Sequence, residues 1–279
     1  MNSEPKNIPF QKKNSERLPT LSVIVPSYNQ AEFIPQCLDS ILSQNYPSVE
    51  VIVIDGQSTD ETLEILKNYG NKIRWISEPD KGQADALNKG IRMASGEIIG
   101  WLNSDDRYES GALLAVGRFF ASHPDILWAF GYSSIINEKS QEIRKFITQY
   151  KNARVKHYSY RSLLEENFIS QMSVFIRREA LARVGGADAS LRYAMDYDLW
   201  LRLGKHFQPG FIPQRLGQFR IHGATKSITG FREQFREDFS VARRYAEGFW
   251  WPLVLHYLNN VKIVAIYKLL ALWQWLFKR

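Results

Sequence analysis

The sequence predicts an α/β protein with a mainly parallel central sheet and helices on both faces, and three observations predict it. Short, nearly unbroken apolar runs alternate with amphipathic segments over residues 21–102. Runs of that kind are strands buried on both faces, the mark of a covered parallel sheet. The carboxyl ends of three runs lead into polar residues, Tyr28-Asn29, Asp55-Gly56 and Asn103 to Asp106, where open α/β sheets collect their ligands.

Leu21-Ser22-Val23-Ile24-Val25 is the first strand, stopped by Pro26. Phe33, Ile34, Cys37, Leu38 and Ile41 recur at helical spacing and give a helix over about 31–44. Residues 49–54 are a second strand. Ser58-Thr59-Asp60-Glu61 has capping-box spacing, so a helix is expected from there to about residue 69. A strand over 73–76, a helix over 83–94 and a strand over 97–102 follow, the last running into Asn103-Ser104-Asp105-Asp106.

Beyond residue 110 the pattern is less regular. It reads as a helix (111–121), a strand (126–136), a polar basic connection (137–156), a strand (171–176), a short helix opening near Asp196, an extended segment (211–221), and helix after 231. The expected division is a flexible polar tail (1–18), one α/β domain (19–230) and a C-terminal helical region (231–279).

A chain of 279 residues can bury a sizeable core, and 44% hydrophobic with 23% charged residues is a globular composition. Its net charge of +7 fits a nucleic acid, an anionic membrane surface or a phosphorylated substrate. The basic residues are scattered, with no run resembling a nucleic-acid arm, so nucleic acid is excluded as a partner. Cys37 is the only cysteine and reads as a buried, inert thiol. Residues 1–17 are polar and lack an apolar signal core, so a cytoplasmic location is expected unless the C-terminus anchors the chain.

The residues that carry chemistry begin with the acidic turn. Two adjacent carboxylates, Asp105 and Asp106, at the end of a buried strand are costly unless something neutralises them. A divalent cation shared with phosphate oxygens, Mg²⁺ or Mn²⁺, is the natural partner. The alternative is a solvated turn. The stretch Met195-Asp196-Tyr197-Asp198 supplies a second acidic pair, which on its own reads as the cap of a helix. No Gly-x-Gly-x-x-Gly follows any expected strand, which leaves a Rossmann dehydrogenase a distant third reading.

Five blocks then come in a fixed order. They are residues 22–29, 53–62 (with Asp55-Gly56-Gln57-Ser58), 81–90 (with Lys81-Gly82-Gln83-Ala84-Asp85), 94–97, and the acidic turn. Together they closely resemble family 2 glycosyltransferases, the inverting group with the GT-A fold. The resemblance covers about 21–227.

The resemblance implies a nucleoside-diphosphate sugar donor and a saccharide or lipid-linked acceptor. Pro26, Tyr28 and Asp55 would line the base and ribose pocket, with Asn29 beside them. Residues 81–88 would close over the nucleotide, bringing Gln83, Asp85 and Asn88. Asn103, with Ser104, would meet a ribose hydroxyl. Asp105 would be the main metal ligand with Asp106 next to it, and His222 a second ligand or a diphosphate contact. Arg220 and Lys226 would offset charge on the leaving diphosphate. Asp196 would be the catalytic base, kept ionised by its helix dipole, and Asp198 a cap or an acceptor ligand. Gln171, Met172 and Ser173 would border the acceptor.

Three positions depart from the family pattern: Gly56 and Asn103 stand where many relatives have Asp, and Met195 replaces the usual first acid. A non-catalytic GT-A-like scaffold or saccharide-binding protein is therefore the second reading. A processive polymerase is not expected, since Gln-x-x-Arg-Trp is absent.

Residues 250–279 are rich in Trp, Leu, Ile and Tyr, broken by Lys262, Lys268, Lys278 and Arg279. Lys268 in mid-segment argues against a full span. Two readings stand: an interfacial helix on a membrane surface, or a helical element packed on the domain or on a second copy.

Overall fold

In the computed structural model the described residues are 17–223, 225, 226 and 230–277; of residue 231 and residues 264–277 only the backbone is described. The chain winds first through β1 (Leu21–Ser27), α1 (Ile34–Leu42), β2 (Val49–Asp55), α2 (Thr62–Asn68), β3 (Arg74–Ser77), α3 (Gln83–Met93) and β4 (Ile98–Trp101). It continues through β5 (Arg107–Tyr108), α4 (Ala112–Ser122), β6 (Trp128–Ile136), α5 (Lys145–Lys156), α6 (Tyr160–Glu165), β7 (Val174–Arg177) and α7 (Arg178–Val184). The last elements are α8 (Met195–His206), β8 (Gly210–Arg220), α9 (Phe231–Tyr245) and α10 (Trp250–Phe277).

The described strands form one eight-stranded sheet in the order β3-β2-β1-β4-β7-β6-β8-β5. β1 pairs in parallel with β2 and β4, β2 with β3, and β6 with β8. The antiparallel pairs join β4 to β7, β6 to β7 and β5 to β8.

Strand alternation splits the core in two. Val23, Val25, Val51 and Val53 face α1, α2 and α4 through Ile34, Leu38, Leu66 and Val116. Ile24, Ile52 and Ile54 face the other side, where Leu87, Trp128, Leu163, Tyr197 and Trp200 pack. This is the α/β architecture the sequence predicts.

Some local expectations are corrected. Ser58 forms no capping box: its N–H and hydroxyl both go to the Asp55 carboxylate, and α2 starts later, where the Thr62 N–H donates to Asp60 at 3.0 Å. The expected connection over 137–156 contains α5, whose signal is weak because only Thr148 and Val155 of its residues are buried. The start of the segment expected as a strand over 171–176 is a 3-10 turn, Gln171–Ser173. Most of the expected polar tail lies outside the described residues; Leu18 packs against the core. No helix among the described residues is long and apolar enough to cross a membrane.

Candidate active site

The chain runs outward from β1 to β2 and β3, then returns to β4 on the opposite side of β1. The connections leaving β1 and β4 therefore diverge, and a crevice opens at the carboxyl ends of these strands. The acidic turn follows β4 directly into this crevice.

Asp106 is fully buried, with Oδ1 accepting the Arg220 N–H at 2.8 Å and Oδ2 lacking any hydrogen-bond partner. Burial, and then the neighbouring charge of Asp105, push its carboxyl well above the usual range. Asp105 points toward the end of β8, where its Oδ2 lies 3.0 Å from His222 Nε2. The His222 ring tilts against Phe33 at 4.6 Å, and the His222 backbone N–H donates to the Thr225 hydroxyl at 2.9 Å. Residues 105 and 222, 117 positions apart in the chain, are thus brought together.

A divalent cation fits this pair. Neighbouring ligands of an octahedral ion bound at about 2.1 Å stand about 3.0 Å apart, the separation seen here. Asp106, next in the chain, keeps a buried Oδ2 without a hydrogen-bond partner. Among the described residues no group of three or more His, Cys, Asp or Glu side chains converges on one cation position. A donor diphosphate and water would complete the shell, the usual arrangement for Mg²⁺.

Arg220 is not placed to meet a diphosphate. Its side chain is buried over the Phe33 ring, with Nε donating to the Asp105 carbonyl at 2.8 Å. One terminal nitrogen donates to the carbonyls of Asn137 and Glu138, each at 3.0 Å, and the other to Gln36 Oε1 at 2.9 Å. The guanidinium clamps the acidic turn from behind. Lys226 lies across the mouth instead, donating to Gln83 Oε1 at 3.0 Å. Gln83 Nε2 in turn donates to Asn103 Oδ1 at 2.6 Å, which also takes the Trp101 indole N–H at 2.8 Å. Ser104 is buried in the turn.

On the other flank Tyr28 is 59% exposed, an open aromatic face at the end of β1. Pro26 is buried within the strand. Asp55 is also buried, its carboxylate taking the Ser58 N–H at 2.9 Å and the Ser77 hydroxyl at 2.7 Å, so it shapes the loop rather than facing a ligand. Asn29, at φ 51°, likewise laces this loop, accepting the Thr59 N–H at 2.8 Å. A Cβ on Gly56 would lie 2.6 Å from Asp80 Oδ2. The space a side chain at 56 would fill is taken by the Asp80 carboxylate, a residue the motif reading passed over because it lies one position before the Lys81 block.

Asp85 accepts the Lys81 N–H at 3.2 Å, and that bond, opposed in part by burial and supported by Lys89, lowers its pKa. Asn88 is corrected from substrate contact to fold contact. Its amide grips Ala187, donating to the carbonyl at 2.8 Å and accepting the N–H at 2.9 Å. A Cβ on Gly186 would meet Asn88 Oδ1 at 2.2 Å, so only glycine lets this turn sit so close. Gln171, Met172 and Ser173 are buried too, and the Gln171 amide donates to the Trp101 carbonyl.

The second acidic pair divides sharply. Asp198 is buried and fully engaged: Arg202 Nε donates at 2.8 Å, the Tyr245 hydroxyl at 2.7 Å and Arg244 at 3.3 Å. It fastens α9 to α8 and is neither cap nor acceptor ligand. Asp196 sits half-buried in the first turn of α8, with Oδ1 taking the Tyr197 N–H at 2.7 Å. Burial raises its carboxyl to about 6, against the lowering effect of that N–H and of Lys151. Desolvation therefore outweighs the helix dipole, the reverse of the sequence expectation, and the value lies where a general base works near neutrality.

Residues 22–185, more than half of the chain, match the family model described as glycosyl transferase family 2. The chain belongs to that family. An uncharacterized glycosyltransferase of Rickettsia prowazekii is 29% identical over 217 residues, covering 77% of this chain and 68% of that protein. A chondroitin synthase of Escherichia coli is 30% identical over 230 residues, covering 81% of this chain but 32% of the synthase. The mannosyltransferase PcManGT of Pyrobaculum calidifontis, solved with GDP-Man and Mn²⁺, superposes with a TM-score of 0.66 at 21% identity over 95% of this chain and 84% of that one. That likeness establishes a shared GT-A fold.

Proposed function

We propose that this chain is a metal-dependent, inverting glycosyltransferase that moves a sugar from a nucleoside-diphosphate donor to an acceptor hydroxyl. The observation that carries the reading is the 3.0 Å pairing of Asp105 with His222 at the crevice mouth. Asp105 and His222 would hold Mn²⁺ or Mg²⁺, which would supply charge neutralisation for the departing diphosphate. Asp106 stands behind them.

The chain's own groups account for the remaining roles. Tyr28 offers a stacking face for the base, Asp80 a carboxylate against Gly56, and Lys226 a cation at the mouth, reached through Gln83. Asp196 takes the acceptor proton as the hydroxyl oxygen bonds to the anomeric carbon. The carbon–phosphate oxygen bond breaks, and the nucleoside diphosphate leaves with that electron pair. One displacement inverts the anomeric centre. The chondroitin synthase likeness supports an acceptor in polysaccharide or glycolipid assembly. Substituting His222→Ala should leave the fold intact and weaken Mn²⁺-dependent binding of UDP or GDP by 10-fold or more, read by calorimetry. Unchanged metal dependence would remove His222 from the site.

The C-terminal helix fits an anionic membrane surface. Trp250, Val254, Tyr257, Leu258 and Val261 are all exposed and fall on one face of α10, with Trp250 at 67% and Tyr257 at 59%. Pro252 and His256, on the opposite face, are buried. Aromatic and aliphatic groups at headgroup depth with lysines nearby, Lys262 among them, suit anionic lipid. The protein should float with phosphatidylglycerol-containing vesicles and not with pure phosphatidylcholine, and Trp250→Ser with Tyr257→Ser should abolish this. No flotation together with a dimer in light scattering would assign the face to a second copy instead. On this reading the chain divides into the GT-A domain and a membrane-facing helix.

A further inference from the structure

We propose that Glu237, on α9, is a positioning residue for Asp196, fixing the backbone from which the base projects. The proposal rests on Asp196 being the base. Glu237 Oε1 accepts the N–H of Arg192 at 3.0 Å, while Oε2 accepts those of Tyr193 at 2.5 Å and Ala194 at 2.6 Å. Three consecutive backbone donors thus close on one carboxylate, an anion-holding arrangement of the chain. Ala194 is the N-cap of α8 and has no side-chain oxygen to cap the helix itself. The carboxylate from α9 instead holds the N-cap residue and the two residues before it by their N–H groups.

α9 holds α8 at a second point. Arg244 and the Tyr245 hydroxyl both donate to Asp198, two residues past the base. Asp196 is therefore bracketed, with Glu237 ahead of it and Arg244 and Tyr245 behind. Asp196 itself makes one side-chain hydrogen bond that the structure gives, to the N–H of its neighbour Tyr197. Its aim is consequently set by the backbone at Ala194 and Met195. A shift of about 1 Å at a reacting group costs about 100-fold in rate, so a tether on this backbone governs turnover.

The tether also carries charge. The groups facing Asp196 are Lys151 from α5, and Glu237 and Asp238 from α9. Asp238 is buried with Oδ1 unpartnered. Glu237 adds negative potential that favours the protonated base. Loss of its charge should shift the acid limb of the rate profile as well as slow the reaction.

The test uses the full chain with Mn²⁺ and whichever UDP-, GDP- or dTDP-sugar it cleaves, comparing wild type, Glu237→Gln, Glu237→Asp and Asp196→Asn. Glu237→Gln should lower kcat 10- to 100-fold, leave the donor KM within twofold, and move the acid limb of kcat/KM to lower pH. Glu237→Asp, which keeps the charge but shortens the arm, should lower kcat without moving the limb; it carries the test if Glu237→Gln does not fold. A role in stability alone would leave kcat and the limb at wild-type values in the folded variants, and that result overturns the proposal. If Asp196→Asn is inert while Glu237→Gln is fully active, the positioning role alone falls. If Asp196→Asn turns over normally, the base assignment falls and the positioning role with it.

Discussion

Asp196→Asn should lower kcat by about 10² to 10⁴-fold, the range that a positioned general base contributes, while Mn²⁺-dependent nucleotide binding stays at the wild-type level. Asparagine keeps the shape and the hydrogen bond from the Tyr197 N–H but cannot take a proton. In the wild type kcat/KM should fall tenfold per pH unit below about 6, where burial holds this carboxyl. The same substitution should stabilise the fold. The folded-state value lies above the unfolded one, so between about pH 4 and 6 the folded chain keeps a proton that the unfolded chain has released. Stability is therefore lost as pH rises through that window and stays lost above it. At pH 7.5 Asp196→Asn should be more stable by on the order of 2 kcal/mol, a gain that disappears by pH 4. Thermal unfolding at the two pH values reads this directly. Loss of activity without the stability gain would mean that Asp196 is not a desolvated base.

Arg220→Met should be the most destabilising single change near the site. The guanidinium serves the carbonyls of Asp105, Asn137 and Glu138 and the Gln36 amide oxygen from a fully buried position. Its charge also offsets Asp106, whose carboxylate is enclosed with it. Methionine fills much of the space but leaves those acceptors unpaired. Removing one partner of a buried ionic network costs about 3–5 kcal/mol, which for a domain of this size is a melting-point drop of roughly 10 °C. Arg220→Lys should not restore stability, because a single ammonium cannot serve acceptors spread around a planar fork. A drop below about 1 kcal/mol would show that the turn is held by other contacts.

The sheet was legible because its central strands are buried on both faces and so read as plain runs: 21–25, 49–54 and 97–102 lie within two residues of β1, β2 and β4. The acidic turn was legible as a turn for the same reason, since residues 103–106 follow such a run directly. What failed to show was side-chain direction. Asn88, Asp198 and Arg220 stand in blocks that resemble the family's substrate contacts, yet each turns inward to brace backbone or a neighbouring helix. Spacing carries no information on that choice. Glu237 was missed for a related reason: it acts on a segment distant in sequence, more than 40 residues from the backbone it holds. α5 was missed because it lies on the domain with few buried residues and therefore has no apolar stripe to detect.

The most direct measurement is nucleoside diphosphate release from a panel of UDP-, GDP- and dTDP-sugars, with Mn²⁺ and with EDTA. The account predicts release from one donor, dependent on the metal and abolished in Asp196→Asn. Metal-dependent nucleotide binding with no release from any donor in the presence of membrane lipid and saccharide acceptors would contradict it, and would leave a nucleotide-binding scaffold on a transferase fold.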